Sequence, residues 1–106
     1  DRIALSMNVQ SEIIIVDHSA ENQGIIWRFG NPQNYRQGDR MKQVLFNQHA
    51  AQFTNEGRSL ICFNNGRQPD RWWSSVDEIE IQRTIRTRGD VVPLKQATSG
   101  TFMCCV

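Results

Sequence analysis

Two histidines are present, His18 and His49, and one of them stands where an imidazole can do chemistry. His49 lies in Phe46-Asn47-Gln48-His49-Ala50-Ala51-Gln52, where a polar loop turns into a strand. Gln48 and Gln52 flank it, and two alanines leave space around it. Imidazole changes charge near neutral pH, so at the head of a strand it can serve as nucleophile, base or ligand. A histidine merely hydrogen-bonded within a loop is the plainer reading of the same residues. His18 closes a strand beside Asp17 and reads as a turn residue. Asn64-Asn65-Gly66 is a turn signal, since Asn and Gly both tolerate positive φ. Trp72-Trp73, after Pro69-Asp70-Arg71, reads as a cap of a loop against the sheet, with ligand stacking as the alternative.

Other machinery is excluded by spacing. The seven glycines form neither GxGxxG nor GxxxxGK[ST], and neither GxSxG nor HExxH occurs. Of three cysteines, Cys62 sits in an apolar run and reads as a small buried hydrophobe, while Cys104 and Cys105 are adjacent and poorly placed to bridge each other. No CxxC or Cys/His cluster suggests zinc, so neither a metal nor a cofactor is expected.

These residues belong to a chain of 106, the length of one ordinary domain. Hydrophobic residues make up 39% and charged residues 22%, enough for a lean core. Twelve Lys and Arg against eleven Asp and Glu leave +1, which gives no global reason to expect nucleic acid. The longest apolar run, Ile13-Ile14-Ile15-Val16, is strand-sized and far short of the roughly 18 residues of a membrane span. The chain opens at Asp1 with neither an initiator Met nor a signal-like apolar segment, and its composition leaves the compartment open.

The elements that must position His49 read as all-β. β-Branched and aromatic residues bounded by turn formers predict strands near 3–9, 12–18, 24–30, 48–54, 58–64 and 75–81. The last alternates imperfectly, as an outer strand can. Residues 31–47 are polar, carry Pro32 and Gly38, and read as a long loop with at most a helical turn. Ile13–Val16 and Leu60–Phe63 are apolar on successive residues, which predicts burial of both faces of those strands. Sandwiches and propellers both satisfy that pattern, and the two meanders are spaced like consecutive propeller blades. Residues 1–82 form this segment. Residues 83–106 carry Arg83, Arg86, Arg88 and Lys95 against Asp90, a divergent basic tail read as solvated and poorly ordered. A basic patch for nucleic acid is the weaker account, because aromatic interleaving is absent apart from Phe102.

Taken together, several phrases resemble the bacterial arylsulfotransferase family. They are Asp1–His18, Ile26-Trp27-Arg28-Phe29-Gly30-Asn31-Pro32, Phe46–Gln52, Leu60–Gly66 and Ser74–Ile79, in order over residues 1–81. The resemblance implies a six-bladed β-propeller with a catalytic funnel on its axis. It also implies transfer of a sulfuryl group from a phenolic sulfate to a phenol, through a transiently sulfated histidine and without a nucleotide donor. His49 looks like that histidine, since the family's nucleophile lies in a similar Gln-His segment on an inner strand. Asn8, Gln48 and Asn64 are the amides that the resemblance offers as substrate contacts. Asn8 falls near the place of a family arginine, and loss of that charge weakens stabilisation of a developing anion by a few kcal/mol. A periplasmic or secreted location is implied in the same way.

The chain has strands for about two blades of such a propeller, so it reads as a portion of one or as a piece that self-associates through exposed blade faces. A non-catalytic binding module is the alternative function. A stand-alone small sandwich is the alternative fold, which would need further strands from residues 83–106.

Overall fold

The computed structural model describes residues 1–19 and 24–81, and the backbone of residues 96–104. The architecture is all-β, built from antiparallel meanders as expected. Strands β1 (Arg2–Met7), β2 (Glu12–Asp17) and β3 (Gly24–Phe29) form one sheet in that order. Strands β4 (His49–Thr54), β5 (Ser59–Asn64), β6 (Ser74–Glu80) and β7 (Gln96–Cys104) form a second. We call them sheet A and sheet B.

The tail therefore supplies a strand: β7 pairs with β6, so β6 is an interior strand and not the outer one its imperfect alternation suggested. That pattern has a different cause. Ser74, Ser75, Asp77 and Ile79 are the buried residues of β6, and three of the four are polar. Ser75 and Asp77 belong to a hydrogen-bonded network, and the Ser74 hydroxyl donates to the Asn65 carbonyl. The remaining expectations for 82–95, 105 and 106, and for the side chains of 96–104, lie outside the described residues.

Turn chemistry sets the strand ends. Ser11 adopts φ 56° and donates its N–H to the Asn8 carbonyl at 3.1 Å, which ends β1 at Met7. In sheet A, Ala4, Ile15 and Trp27 lie opposite one another, as do Ser6, Ile13 and Phe29. These residues point at sheet B, where Leu60, Cys62 and Ile79 meet them with Leu45 from the connecting loop. Trp27 and Phe29 stack at 5.8 Å between centroids.

Ile13 and Ile15 are buried against sheet B and Ile14 is buried on the opposite face, so β2 is covered on both faces over Ile13–Ile15 as expected. Val16 is only half-buried, and its neighbours Ile3, Leu5 and Ile25 on that outward face are exposed. Strand β5 departs from that expectation: Leu60 and Cys62 are buried, whereas Ile61 and Phe63 are only half-buried on the other face. Only one face of sheet B is fully covered.

The loop from 31 to 47 holds two short 3-10 turns, Pro32–Tyr35 and Arg40–Lys42, the second capped by the Asp39 side chain accepting from Met41 N at 3.0 Å. Its C-terminal part then runs between the sheets. Val44 and Leu45 both donate to the Gly30 carbonyl, at 2.8 and 3.2 Å. A Cβ at Gly30 would lie 2.7 Å from both Leu45 Cδ1 and the Ser11 carbonyl, and φ is 122°, so glycine is required there.

Candidate functional site

His49 opens β4 at the edge of sheet B, opposite Phe63, and is exposed. The pairing with β5 shifts between His49 and Gln52, which is a β-bulge. Asn47 at φ 52° and Ala50 at φ 57° bracket the histidine in left-handed backbone. Asparagine tolerates that region, whereas alanine there costs on the order of 1 kcal/mol. Bulges re-aim side chains, and here the strained segment holds the His49 ring over Phe63 at 5.2 Å between centroids.

The ring orientation follows from one hydrogen bond. His49 Nδ1 lies 2.6 Å from Oδ1 of Asn65, an oxygen that can only accept, so Nδ1–H donates, and in the neutral tautomer the lone pair is on Nε2. Among the described residues Asn65 is the side-chain hydrogen-bond partner of the His49 ring. The result is an oriented imidazole with Nδ1 committed to Asn65.

The neighbouring amides named from the sequence do other things. Asn8 Nδ2 donates to the carbonyls of Asn47 and Gln48 at 2.9 and 3.1 Å, and Asn47 Nδ2 returns a bond to the Asn8 carbonyl at 3.1 Å. Gln48 is wholly buried: its Nε2 donates to Ser6 Oγ and to the Glu12 carbonyl, both at 3.0 Å. Together they clasp the segment before β4 onto sheet A, where β1 runs beside β4.

Asn64 is also wholly buried. Its Oδ1 accepts from Phe46 N at 2.9 Å, and its Nδ2 donates to the Val44 carbonyl and to Asp77 Oδ2, both at 2.9 Å. Asp77, buried in turn, accepts from Ser75 Oγ at 2.7 Å, and Ser75 Oγ accepts from Arg71 at 2.8 Å. Gln48 thus adjoins His49 in the chain and Asn8 is bonded to the two residues before it, while Asn64 serves the core of sheet B. Cys62 lies in that core too, and burial first, then the Asp77 charge, pushes its thiol up to about 12. It is no nucleophile at neutral pH.

Two features escaped sequence reading. Glu12, buried at the start of β2, holds Arg28 through Nε at 2.5 Å and Nη2 at 3.0 Å, with Arg28 stacked over Tyr35 at 4.9 Å. The pair holds the Arg28 charge more firmly than usual, chiefly through the hydrogen bond to Glu12. An acidic residue abutting a four-residue apolar run was the signal for it. The second feature is a cleft of about 630 Å³ lined by Arg40, Met41, Phe46, Asp70, Arg71 and Trp73, among others. Arg40 pairs with Asp70 at 2.5 Å, and Arg71 stacks over Trp73 at 4.8 Å. Trp72 and Trp73 are 62% and 43% exposed, so they do not cap the loop against the sheet as expected. Arg71 holds the loop instead, donating to the Trp73 carbonyl at 3.0 Å.

The described residues hold no cluster of His, Cys, Asp and Glu suited to a metal, and no helix among them is long and apolar enough to cross a membrane. The fold and this site define an all-β protein of paired antiparallel meanders with an oriented, exposed imidazole at a bulged strand edge. Compared with protein-family models, curated proteins and solved structures, the chain matches none.

Proposed function

We propose that the chain is about two blades of an arylsulfotransferase-like propeller and that His49 is its sulfuryl acceptor. The observation that carries this reading is the His49 tautomer: Nδ1–H is committed to Asn65, which leaves Nε2 as an exposed lone pair on a strained bulge. Nε2 attacks the sulfur of a phenolic sulfate, the N–S bond forms as the S–O(aryl) bond breaks, and the phenolate leaves with the bonding pair. A second phenol, having lost its proton to solvent, attacks the same sulfur and returns the electron pair to Nε2. Asn65 keeps the ring in the productive tautomer throughout, and the adjacent sheets of blade-like shape support the fold half of the reading.

A non-catalytic binding module is the second reading, and two observations favour it. Asn8, Gln48 and Asn64 all spend their amides on holding the chain together, so none of their donors is aimed at a sulfuryl oxygen. The cleft between Met41 and Trp73 has a volume in the range of small-molecule pockets and shares no lining residue with His49.

Incubation of the folded chain with a chromogenic aryl sulfate, with and without a phenol, separates them. A sulfuryl adduct mapped by mass spectrometry to His49, and lost in His49→Ala, is the expected result. A folded chain without an adduct at His49 would shift the function to binding.

A further inference from the structure

Each sheet has one face in the shared core and one face turned away from it. On sheet A the outward face carries Ile3 opposite Val16 and Ile25, and Leu5 opposite Ile14. Ile3, Leu5 and Ile25 are 44%, 45% and 49% exposed. The Glu12–Arg28 pair, covered by Tyr35 and Asn34, closes one end of this face, and the described residues leave Ile3, Leu5 and Ile25 exposed on the rest. Ile3 and Leu5 on β1 and Ile25 on β3, bridged across the central strand by the buried Ile14 and half-buried Val16, form an apolar patch of the kind that marks an interaction site.

On sheet B the outward face carries Ile61 opposite Gln52 and Glu78, and Phe63 opposite Val76 and His49. Ile61, Phe63 and Val76 are half-buried. So the molecule has two unlike outward faces, and each is the back of a sheet whose front already packs on the other sheet.

That internal packing says what fits. The front of sheet A lies on the front of sheet B with β1 alongside β4, both edge strands of meanders running in the same order. The step from A to B can be repeated: a further A sheet laid on the back of B makes the same kind of contact, sheet against sheet with first strands adjacent. A second copy of the chain carries just such an A sheet, with an apolar back that the described residues leave exposed.

We propose that copies of this chain associate head to tail, the outward face of sheet A in one copy docking on the outward face of sheet B in the next. The interface is heterologous, so it propagates into a closed ring if the rotation per copy divides a full turn, and into an open chain otherwise. By the same step β4 of one copy, with His49 at its start, lies beside β1 of the next. The inference goes beyond the sulfuryl-transfer reading, and its readout is independent of any reaction.

The test is sedimentation velocity of the 106-residue chain over a wide concentration range, with one variant for each face. Leu5→Lys places a charge in the A face. Ile61→Lys places one in the B face, beside Glu78, where sheet B can accommodate it. Wild type is expected to form a ring or longer chains, and either variant alone to be at least about tenfold weaker in association. Mixing the two variants is expected to give a one-to-one dimer, because each retains the face the other has lost. Circular dichroism confirms folding; Ile3→Thr and Val76→Thr replace any variant that fails it. A folded wild type that stays monomeric throughout overturns the proposal. So does a symmetric dimer that survives in one variant alone while the mixture adds nothing.

Discussion

Removal of the Asn64 side chain would strand three groups together: the Phe46 N–H, the Val44 carbonyl and one oxygen of the Asp77 carboxylate. Each is buried or nearly so, and a buried unsatisfied group costs about 1–3 kcal/mol. Asn64→Ala is therefore expected to lose about 3 kcal/mol or more in urea unfolding, whereas Asn65→Ala, on the exposed side of the same turn, should lose little stability. Asn65→Ala should instead free the His49 tautomer, visible in the imidazole nitrogen shifts by NMR. Cys62 gives a pH dependence with a definite sign. Its thiol ionises near 9.0 when unfolded and at about 12 when folded, so the unfolded chain loses a proton that the native chain keeps. The contribution is whole below pH 9 and declines between about 9 and 12. Stability of the wild type should fall more steeply over that range than that of Cys62→Ala. At this scale the sequence marked His49 as the distinctive side chain, and Cys62 as buried, from their neighbours alone. It did not distinguish Asn64 from Asn65, because both suit a turn; only register decides which one faces the core.

Apolar periodicity carried the elements well. β2 announced its two covered faces as four consecutive branched aliphatics, and the structure buries Ile13, Ile14 and Ile15. The same pattern in β5 overstated burial, because coverage of its second face needs a neighbour that the described residues do not supply. The bulge in β4 left no trace, since Ala50 is not a residue whose type advertises positive φ. That hidden strain gives a test: Ala50→Gly relieves the left-handed alanine and is expected to stabilise the fold by about 0.5–1 kcal/mol. If His49 is held by the bulge, the gain should come with a less ordered imidazole, read as a smaller NMR order parameter. Gly66 is the converse, its need for glycine legible from the Asn-Asn-Gly turn. At φ 79° a Cβ there would run into the Trp73 carbonyl, so Gly66→Ala should destabilise the 66–73 loop and loosen the cleft beside it.

How the two sheets meet was the least legible level, because a sandwich and two propeller blades demand the same strand pattern. What joins them comes from the end of the long loop that the sequence marks as polar over 31–43. Leu45 leaves that loop fully buried among Ile13, Phe29 and Leu60 of the shared core, while Gln48 three residues later reaches Ser6 and Glu12 in sheet A. A core with contributions from both sheets and from their connection should unfold in one step, since neither sheet can keep its front face covered alone. Leu45→Ala is the probe: the lost methyl groups and the residual cavity cost about 2–5 kcal/mol. Amide hydrogen exchange reports each sheet separately, through β2 for one and β5 for the other. Protection in the two strands should fall by the same free energy if the sheets open together. A loss confined to β2, with β5 unchanged, would mean that sheet B holds itself and that sheet A is a detachable layer on it. Head-to-tail association through the outward faces would then be governed by the stability of sheet A alone, and Leu45→Ala would weaken assembly as strongly as Leu5→Lys.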